Sequence, residues 1–161
     1  MFIRVETEEQ IEEVEKLARE IWREHYMPII GEKQVEYMLE KFQSKKAIGE
    51  QLQNNYHYYL IREENKNVGY TGIQFRDKEL FLSKIYVRSS ERGKGYAKKT
   101  IQFIEDTARN NSLEKITLTV NKNNLDTIKV YEKIGFKKVK PIVMDIGGGY
   151  IMDDYLMEKG L

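Results

Sequence analysis

The stretch from Arg92 to Lys98 combines two glycines with three basic side chains, a combination suited to binding phosphate groups. Glycine lacks a β-carbon, so it lets the backbone turn sharply and lets a ligand approach closely. Apolar residues at positions 97, 101, 104 and 108 recur at helical spacing, which predicts that a helix begins here. The first amides of a helix have no partner within it and lie at the positive end of its dipole. The stretch therefore predicts an anion site, and a plain basic turn before a surface helix is the alternative.

Two common phosphate-binding motifs do not fit this stretch. The pattern G-x-x-x-x-G-K-[ST] has no match, and G-x-G-x-x-G fails because no third glycine follows Gly93 and Gly95. The stretch does match R-x-x-G-x-[GA], through Arg92, Gly95 and Ala97. In this it resembles the pyrophosphate loop of the GNAT superfamily, the acetyl-CoA-dependent N-acetyltransferases.

A second segment supports the same resemblance. Residues Asn124–Phe136 are similar to the family signature N-x-x-A-x-x-x-Y-E-K-x-G-F, with Thr127 where alanine is usual. Taken alone, the segment is also typical of a short amphipathic helix with a glycine C-cap at Gly135. The two signatures occur in the expected order, and the resemblance spans roughly Leu80 to Phe136.

The resemblance implies direct transfer of acetyl from acetyl-CoA, as co-substrate, to an amine, without an acyl-enzyme and without a metal. Backbone groups of the strand before the loop would bind the pantetheine arm, and one amide would polarise the thioester carbonyl. The loop would bind the pyrophosphate, Asn124 the pantetheine, and Lys133 the phosphoadenosine end. The implied cofactor-binding residues are Ile85, Tyr86, Val87, Arg92, Gly93, Lys94, Gly95, Tyr96, Ala97, Lys98, Asn124, Tyr131 and Lys133.

Tyr131 is the predicted catalytic residue. A phenol can donate a proton to the departing sulfur, and its ordinary pKa of about 10 keeps it protonated at neutral pH. The alternative is a core tyrosine that only hydrogen-bonds the CoA sulfur.

The acceptor pocket is expected between the first helix with its following loop and the closing hairpin. The predicted acceptor residues are Trp22, Glu24, His25, Tyr26, Asp145 and Asp154, although Trp22 fits the core equally well. The candidates for the base that deprotonates the amine are Glu24, His25, Asp145, Asp153 and Asp154.

The acids suit a cationic small-molecule amine such as a polyamine. The helical region and the tail also resemble bacterial polyamine-type acetyltransferases. A protein N-terminus or a lysine side chain is an alternative acceptor. A non-catalytic CoA-binding sensor is an alternative function.

The pattern of elements is β-α-α-(α)-β-β-β-α-β-α-β-β, which predicts an α/β protein with helices on both faces of the sheet. The GNAT resemblance implies a mixed, mostly antiparallel sheet of about seven strands, splayed at the cofactor site. Thr7 and Gln10 form a capping box at the start of the first helix. Pro28 and Gly31 are expected to stop that helix.

Composition limits the remaining classes. A length of 161 residues fits a single domain, 1–161, and a net charge of +1 provides no basic field for nucleic acid. The absence of cysteine excludes disulfides and thiolate chemistry, and the two histidines, His25 and His57, lack metal-ligand spacing. No apolar run predicts a membrane helix or a signal peptide, so a cytoplasmic protein is expected. A homodimer is expected from the resemblance alone.

Overall fold

The computed structural model describes all residues from 1 to 161 and has one seven-stranded sheet with five α-helices. The strands are β1 (Phe2–Arg4), β2 (Tyr56–Glu63), β3 (Lys66–Phe75), β4 (Glu79–Val87), β5 (Lys115–Asn121), β6 (Lys137–Gly147) and β7 (Tyr150–Gly160). The helices are α1 (Glu8–Ile30), α2 (Glu32–Gln43), α3 (Lys45–Leu52), α4 (Tyr96–Asn110) and α5 (Leu125–Ile134). A 3₁₀ turn at Ser89–Glu91 precedes α4. None of the helices has the length and apolar composition needed to span a bilayer.

The sheet has the order β1-β2-β3-β4-β5-β7-β6, and only the β4–β5 pair is parallel. That pair is short: Glu79–Phe81 are matched with Lys115–Thr117, and no pairing continues beyond them. The two strands therefore diverge in the middle of the sheet, which confirms the predicted splay. The edge of β4 that faces β5 keeps its backbone N–H and C=O groups unpaired from Leu82 onward.

The two faces of the sheet carry separate cores. On one face, which we call the α1 face, α1, α2 and α3 pack over the buried rings of Tyr58 and Tyr70. On the other, the α4 face, Ile101 and Ile104 of α4 pack against Leu82 and Leu118. The prediction of helices on both faces is confirmed.

An irregularity in β4 decides which side chains reach each face. Gly72 pairs with Lys84 and Ile73 pairs with Leu82, so Ser83 is an extra residue in β4. Such a bulge reverses the alternation of side chains along a strand. Leu82 before it packs on the α4 face, whereas Tyr86 after it packs on the α1 face.

Gly69 lets β3 approach β4 closely beside this bulge. A β-carbon at Gly69 would lie 2.2 Å from the carbonyl oxygen of Tyr86. Only glycine permits this spacing, so Gly69 helps to fix the backbone position of Tyr86.

The end of α1 differs from the expectation. Pro28 lies inside α1, which continues to Ile30, and Gly31 alone ends it with its N–H donating to Met27 O at 3.0 Å. Proline removes one helical hydrogen bond and crowds the carbonyl four residues earlier. Packing of Met27 and Ile30 against the α1-face core offsets that loss. The capping box is present as predicted, with Gln10 N donating to Thr7 Oγ1 at 3.2 Å.

Candidate active site

A cleft with a volume of about 1470 Å³ follows the gap between β4 and β5 and continues onto the α1 face. Single small-molecule pockets are typically about 300–1,000 Å³. The cleft therefore has room for a large cofactor together with a smaller second ligand. It extends from the loop before α4, past the unpaired edge of β4, to side chains of α1, α2, β6 and β7.

The loop from Arg92 to Gly95 lies at the outer end of the cleft. Gly93 and Gly95 have positive φ angles of 79° and 85°, and Gly95 is the N-cap of α4. Lys99 N donates to Gly95 O at 3.1 Å, so the amides of the first three helical residues have no partner within the helix. No acidic residue lies in that first turn. The geometry suits an anion, as the sequence predicts.

The basic side chains of this loop differ in availability. Arg92 and Lys98 are exposed, and the one hydrogen bond of the Arg92 side chain is a long one of 3.4 Å from Nε to Val87 O. Lys94 Nζ lies 2.7 Å from Glu91 Oε2, and Glu91 also pairs with Lys66 at 2.6 Å. The hydrogen bonds from Lys66 and Lys94 hold the pKa of Glu91 well below its usual range. Arg92 and Lys98 are thus the freer cations.

Beyond the loop, the cleft passes the last residues of β4. Val87 and Tyr86 pair with Gly69 and Tyr70 of β3, and their other edge faces the gap. The Tyr86 hydroxyl lies 3.0 Å from that of Tyr26 in α1. Burial raises the pKa of Tyr26 and of Tyr86, so both phenols are neutral at pH 7.

Asn124 and His25 meet at the junction of α1 and α5. Asn124 is the N-cap of α5, but its side chain makes no capping hydrogen bond. Its Oδ1 instead lies 3.1 Å from His25 Nε2, and Asn124 is only 4% exposed. An amide oxygen can only accept, so this arrangement places the ring proton on Nε2. Burial, followed by the charge of Arg92, lowers the pKa of His25, which is therefore neutral at pH 7.

Tyr131 lies in α5 and lines the cleft. Its ring packs edge-on against Phe136 with centroids 5.6 Å apart. Its hydroxyl has no hydrogen bond within the protein, and burial raises its pKa. The phenol is protonated at neutral pH and available to a ligand.

Asp154 and Asp153 lie on opposite faces of β7. Asp154 pairs in register with Asn121 at the end of β5, lines the cleft and is 3% exposed. Burial, with a contribution from the charge of Asp153, raises the pKa of Asp154 to about 6, against the effect of Lys122. Asp153 does not line the cleft, and its Oδ1 lies 2.8 Å from Lys122 Nζ. Of the two adjacent acids, only Asp154 is a buried carboxylate without a protein partner.

A family model described as "Acetyltransferase (GNAT) family" matches residues 11–136. The chain belongs to the GNAT family of acetyltransferases. The match covers most of the chain and includes most of α1 and both sequence signatures, so the predicted resemblance to the GNAT superfamily is confirmed. The likeness to polyamine-type acetyltransferases stays a prediction.

Curated relatives within the GNAT family share only parts of the chain. The Bacillus subtilis uncharacterized N-acetyltransferase YobR is 40% identical over 58 residues, which are 36% of this chain and 24% of YobR. The B. subtilis uncharacterized N-acetyltransferase YycN is 27% identical over 94 residues, 55% of this chain and 60% of YycN. The chain therefore aligns with less than two thirds of the length of either relative.

Solved GNAT structures match the whole fold. The PaiA N-acetyltransferase from Thermoplasma acidophilum, in complex with coenzyme A, has a TM-score of 0.81 at 20% identity, over 100% of this chain and 99% of that one. A ribosomal-protein-alanine N-acetyltransferase from Brucella melitensis has a TM-score of 0.72 at 17% identity, over 99% of both chains. A chimeric spermidine N-acetyltransferase of Vibrio cholerae SpeG and hSSAT has a TM-score of 0.68 at 19% identity, over 99% of this chain and 95% of that one. At these identities the likeness establishes the GNAT fold.

The remaining sequence-predicted residues lie at the margins of this GNAT cleft or outside it. Trp22 is 4% exposed and donates its indole N–H to Tyr70 OH at 3.1 Å, so it belongs mainly to the core. Glu24 is exposed and does not line the cleft. Asp145 lines the cleft near the β6–β7 turn, where it accepts from Gly147 N at 2.8 Å. Lys133 is exposed and lines the cleft from α5.

Two features of the site are missing from the sequence predictions. One is the side chain of Tyr86, since only its backbone was expected to take part. The other is Lys84, which lines the cleft from β4. A single charged residue in the run from Leu80 to Val87 is a visible signal, but the bulge that directs it to the α1 face is not.

Proposed function

We propose that the protein transfers an acetyl group from acetyl-CoA directly to a primary amine of a small molecule. The observation that carries this proposal is the gap between β4 and β5. It connects the anion-binding loop at one end to Tyr131 and the buried Asp154 at the other.

The cofactor is proposed to bind along the unpaired edge of β4. The pantetheine amides hydrogen-bond backbone groups of residues 85–87 as an added strand would, and the pyrophosphate binds the loop. Arg92, Lys98 and the first amides of α4 supply most of the positive field, because Lys94 is paired with Glu91. A β4 amide directed at the thioester carbonyl polarises it, as in an oxyanion hole.

Asp154 is proposed as the base. An ammonium must lose a proton before its nitrogen can attack, and a buried carboxylate without a protein partner can receive it. A pKa raised to about 6 leaves Asp154 ionised at pH 7 and makes it a stronger base than an ordinary aspartate. Of the other base candidates, Glu24 and Asp153 do not line the cleft, and His25 is engaged by Asn124. Asp145 lines the cleft but is exposed and accepts from Gly147 N.

Tyr131 is proposed as the acid. The amine nitrogen attacks the thioester carbonyl, the C–N bond forms, and the C–S bond breaks. The departing sulfur takes the proton of the Tyr131 hydroxyl, and Asp154 holds the proton that the ammonium gave up before the attack. The second proton that the nitrogen loses on becoming an amide passes to solvent. Both residues return to their starting states by exchange with solvent.

The acceptor is proposed to be a small amine, because the pocket beside Asp154 is formed by buried and partly buried side chains of α1, α2 and β7. Asp154 and Asp145 favour a cationic acceptor, which keeps polyamines among the candidates. The GNAT relatives include proteins named for spermidine and for a ribosomal-protein alanine, so a protein acceptor is the alternative. Cytoplasmic location and homodimer formation stay predictions from the sequence.

The test is release of free CoA from acetyl-CoA by the purified protein, with polyamines, aminoglycosides, amino acids and short peptides as acceptors. Turnover with one small-amine class is expected, with Asp153→Asn as a control that retains activity. Tight acetyl-CoA binding with turnover only on peptides would identify a protein acetyltransferase. Binding without any turnover would favour a sensor, and failure to bind acetyl-CoA would overturn the proposal.

A further inference from the structure

Lys84 is a cation on the acceptor side of the cleft that no carboxylate neutralises. It is partly buried, lines the cleft and takes part in none of the ion pairs of the protein. An unpaired buried charge is costly to the fold. A ligand that supplies a negative charge beside Lys84 would offset this cost.

The β4 bulge brings Lys84 to this position. Without the extra residue Ser83, the side chain of Lys84 would follow Leu82 onto the α4 face. With it, Lys84 shares the α1 face with Tyr86, two residues along the same strand. The bulge thus places a charge in the acceptor half of the cleft.

Neighbouring groups hold the Lys84 ammonium in place but leave part of its hydrogen-bonding capacity unused. Tyr58 OH accepts from Lys84 Nζ at 2.8 Å and from Gln43 Nε2 at 3.1 Å, and it donates to Gln51 Oε1. These three bonds use all the hydrogen-bonding capacity of the hydroxyl. An ammonium has three N–H donors, so two of those of Lys84 remain for a ligand.

The electrostatic environment agrees with this geometry. Burial lowers the pKa of Lys84 to about 8, against a small opposing effect of Tyr56. Lys84 is therefore still mostly charged at pH 7, and an anionic ligand would stabilise its charged form.

We propose that Lys84 binds a carboxylate of the acceptor, so that the substrate is an amine carrying an acidic group at its other end. This inference rests on the proposed acetyl transfer, with the amine held at Asp154 near the Tyr26–Tyr86 pair. Lys84 and Tyr86 are two residues apart in β4, a span of about 7 Å, so a chain of several carbons would separate an amine beside Tyr86 from a carboxylate at Lys84. A polyamine would instead place a second ammonium beside Lys84, where like charges repel.

The experiment compares three acceptors of similar length: δ-aminovalerate, cadaverine and pentylamine. The wild-type protein is expected to show the highest kcat/KM with δ-aminovalerate. In Lys84→Met, which keeps the length of the side chain, the ratio of kcat/KM for δ-aminovalerate to that for pentylamine should fall about 10-fold or more. Lys41→Met is the matched control. Lys41 also lines the cleft without a carboxylate partner, but its Nζ donates to Ile146 O, so the ratio should not change.

The outcomes separate this inference from the proposed function. Efficient acetylation of pentylamine or cadaverine with no preference for δ-aminovalerate would overturn the role of Lys84 and leave acetyl transfer intact. An unchanged ratio in Lys84→Met would do the same. If none of the three acceptors is acetylated, the role of Lys84 is tested by measuring equilibrium binding of δ-aminovalerate to the CoA-saturated protein. Binding that weakens about 10-fold in Lys84→Met supports the inference, and absent or unchanged binding contradicts it.

Discussion

The two ends of the cleft are built for binding in different ways. The proposed cofactor end consists of backbone amides, glycines and exposed cations such as Arg92 and Lys98. The proposed acceptor end consists of the buried Asp154 and partly buried side chains, among them Tyr131 and Lys84. Exposed contacts are screened by solvent and each contributes little. Buried polar groups have few partners, so each one strongly limits what can bind there.

The difference implies that single substitutions at the acceptor end affect chemistry and selectivity, whereas those at the cofactor end affect affinity in small steps. The largest effect is expected at Asp154. Asp154→Asn should lower kcat about 10³-fold, because a general base typically contributes 10²–10⁴-fold. Acetyl-CoA affinity should stay the same, and Asp153→Asn should be nearly neutral. Equal losses in the two variants would show that the faces of β7 do not separate the acids as described.

The pH profile gives a second test of Asp154. The base must be ionised, so kcat should fall as the pH drops through about 6, and this limb should be absent in Asp154→Asn. A wild-type profile that is flat between pH 5 and 7 would argue against Asp154 as the base.

Asp154→Asn should also stabilise the folded state. The pKa of Asp154 is about 6 in the folded state and 3.8 in its ordinary state, so the folded state binds this proton more tightly than the unfolded chain does. Proton binding therefore stabilises the fold at low pH, and this stabilisation is lost as the pH rises through about 6. At pH 7 the neutral Asp154→Asn side chain avoids this loss, so the free energy of unfolding should increase by up to about 3 kcal/mol. Denaturant titrations at pH 7 and pH 4 measure it, and the gain should largely vanish at the lower pH.

Tyr131→Phe should lower kcat about 10- to 100-fold with little change in acetyl-CoA affinity. The effect is smaller than at Asp154 because a thiolate, with a pKa near 8.5 in cysteine, can leave partly unprotonated. Single-turnover kinetics and a binding titration separate the two quantities. An unchanged kcat would leave Tyr131 as a core residue that only contacts the sulfur.

At the cofactor end, Arg92→Gln should weaken acetyl-CoA binding about 10-fold and leave kcat unchanged. Salt should weaken binding less in the variant than in the wild type, because one exposed ionic contact is gone. Lys94→Gln is the comparison. Its side chain is paired with Glu91, so the loss should be smaller. A larger loss for Lys94→Gln would show that Lys94 leaves Glu91 for the phosphate.

The smallest expected effects are the changes in stability when Gly95 or Gly49 is replaced by alanine. Gly95 has a φ of 85°, so Gly95→Ala should destabilise the loop by about 1–2 kcal/mol. Gly49 lies inside α3 with open space around it, so Gly49→Ala should stabilise the protein by up to about 1 kcal/mol. Thermal unfolding measures both, and only Gly95→Ala should also weaken acetyl-CoA binding.

The loop and helix start of the proposed cofactor end were predictable from the sequence because their signals are local. Glycine positions, basic residues and helix starts are encoded within a few neighbouring residues, and α4 begins where the pattern indicates. The acceptor end depends on pairing between distant segments. A one-residue slip in the β5–β7 register would exchange Asp154 for Asp153 at the cleft. Similarly, only the bulge at Ser83 brings Lys84 to the α1 face, and His25 meets Asn124 across 99 positions of sequence.

The three-residue pairing of β4 with β5 has a consequence for how the protein opens. Within each half of the sheet, β2–β4 and β5–β7–β6, the strands are held by long antiparallel ladders, whereas β4 and β5 join the halves through few backbone bonds. Amide hydrogen exchange should therefore reveal two cooperative units with different protection. A ligand that spans the gap with backbone-like hydrogen bonds would join these units into one, so the substrate would complete the sheet that holds it.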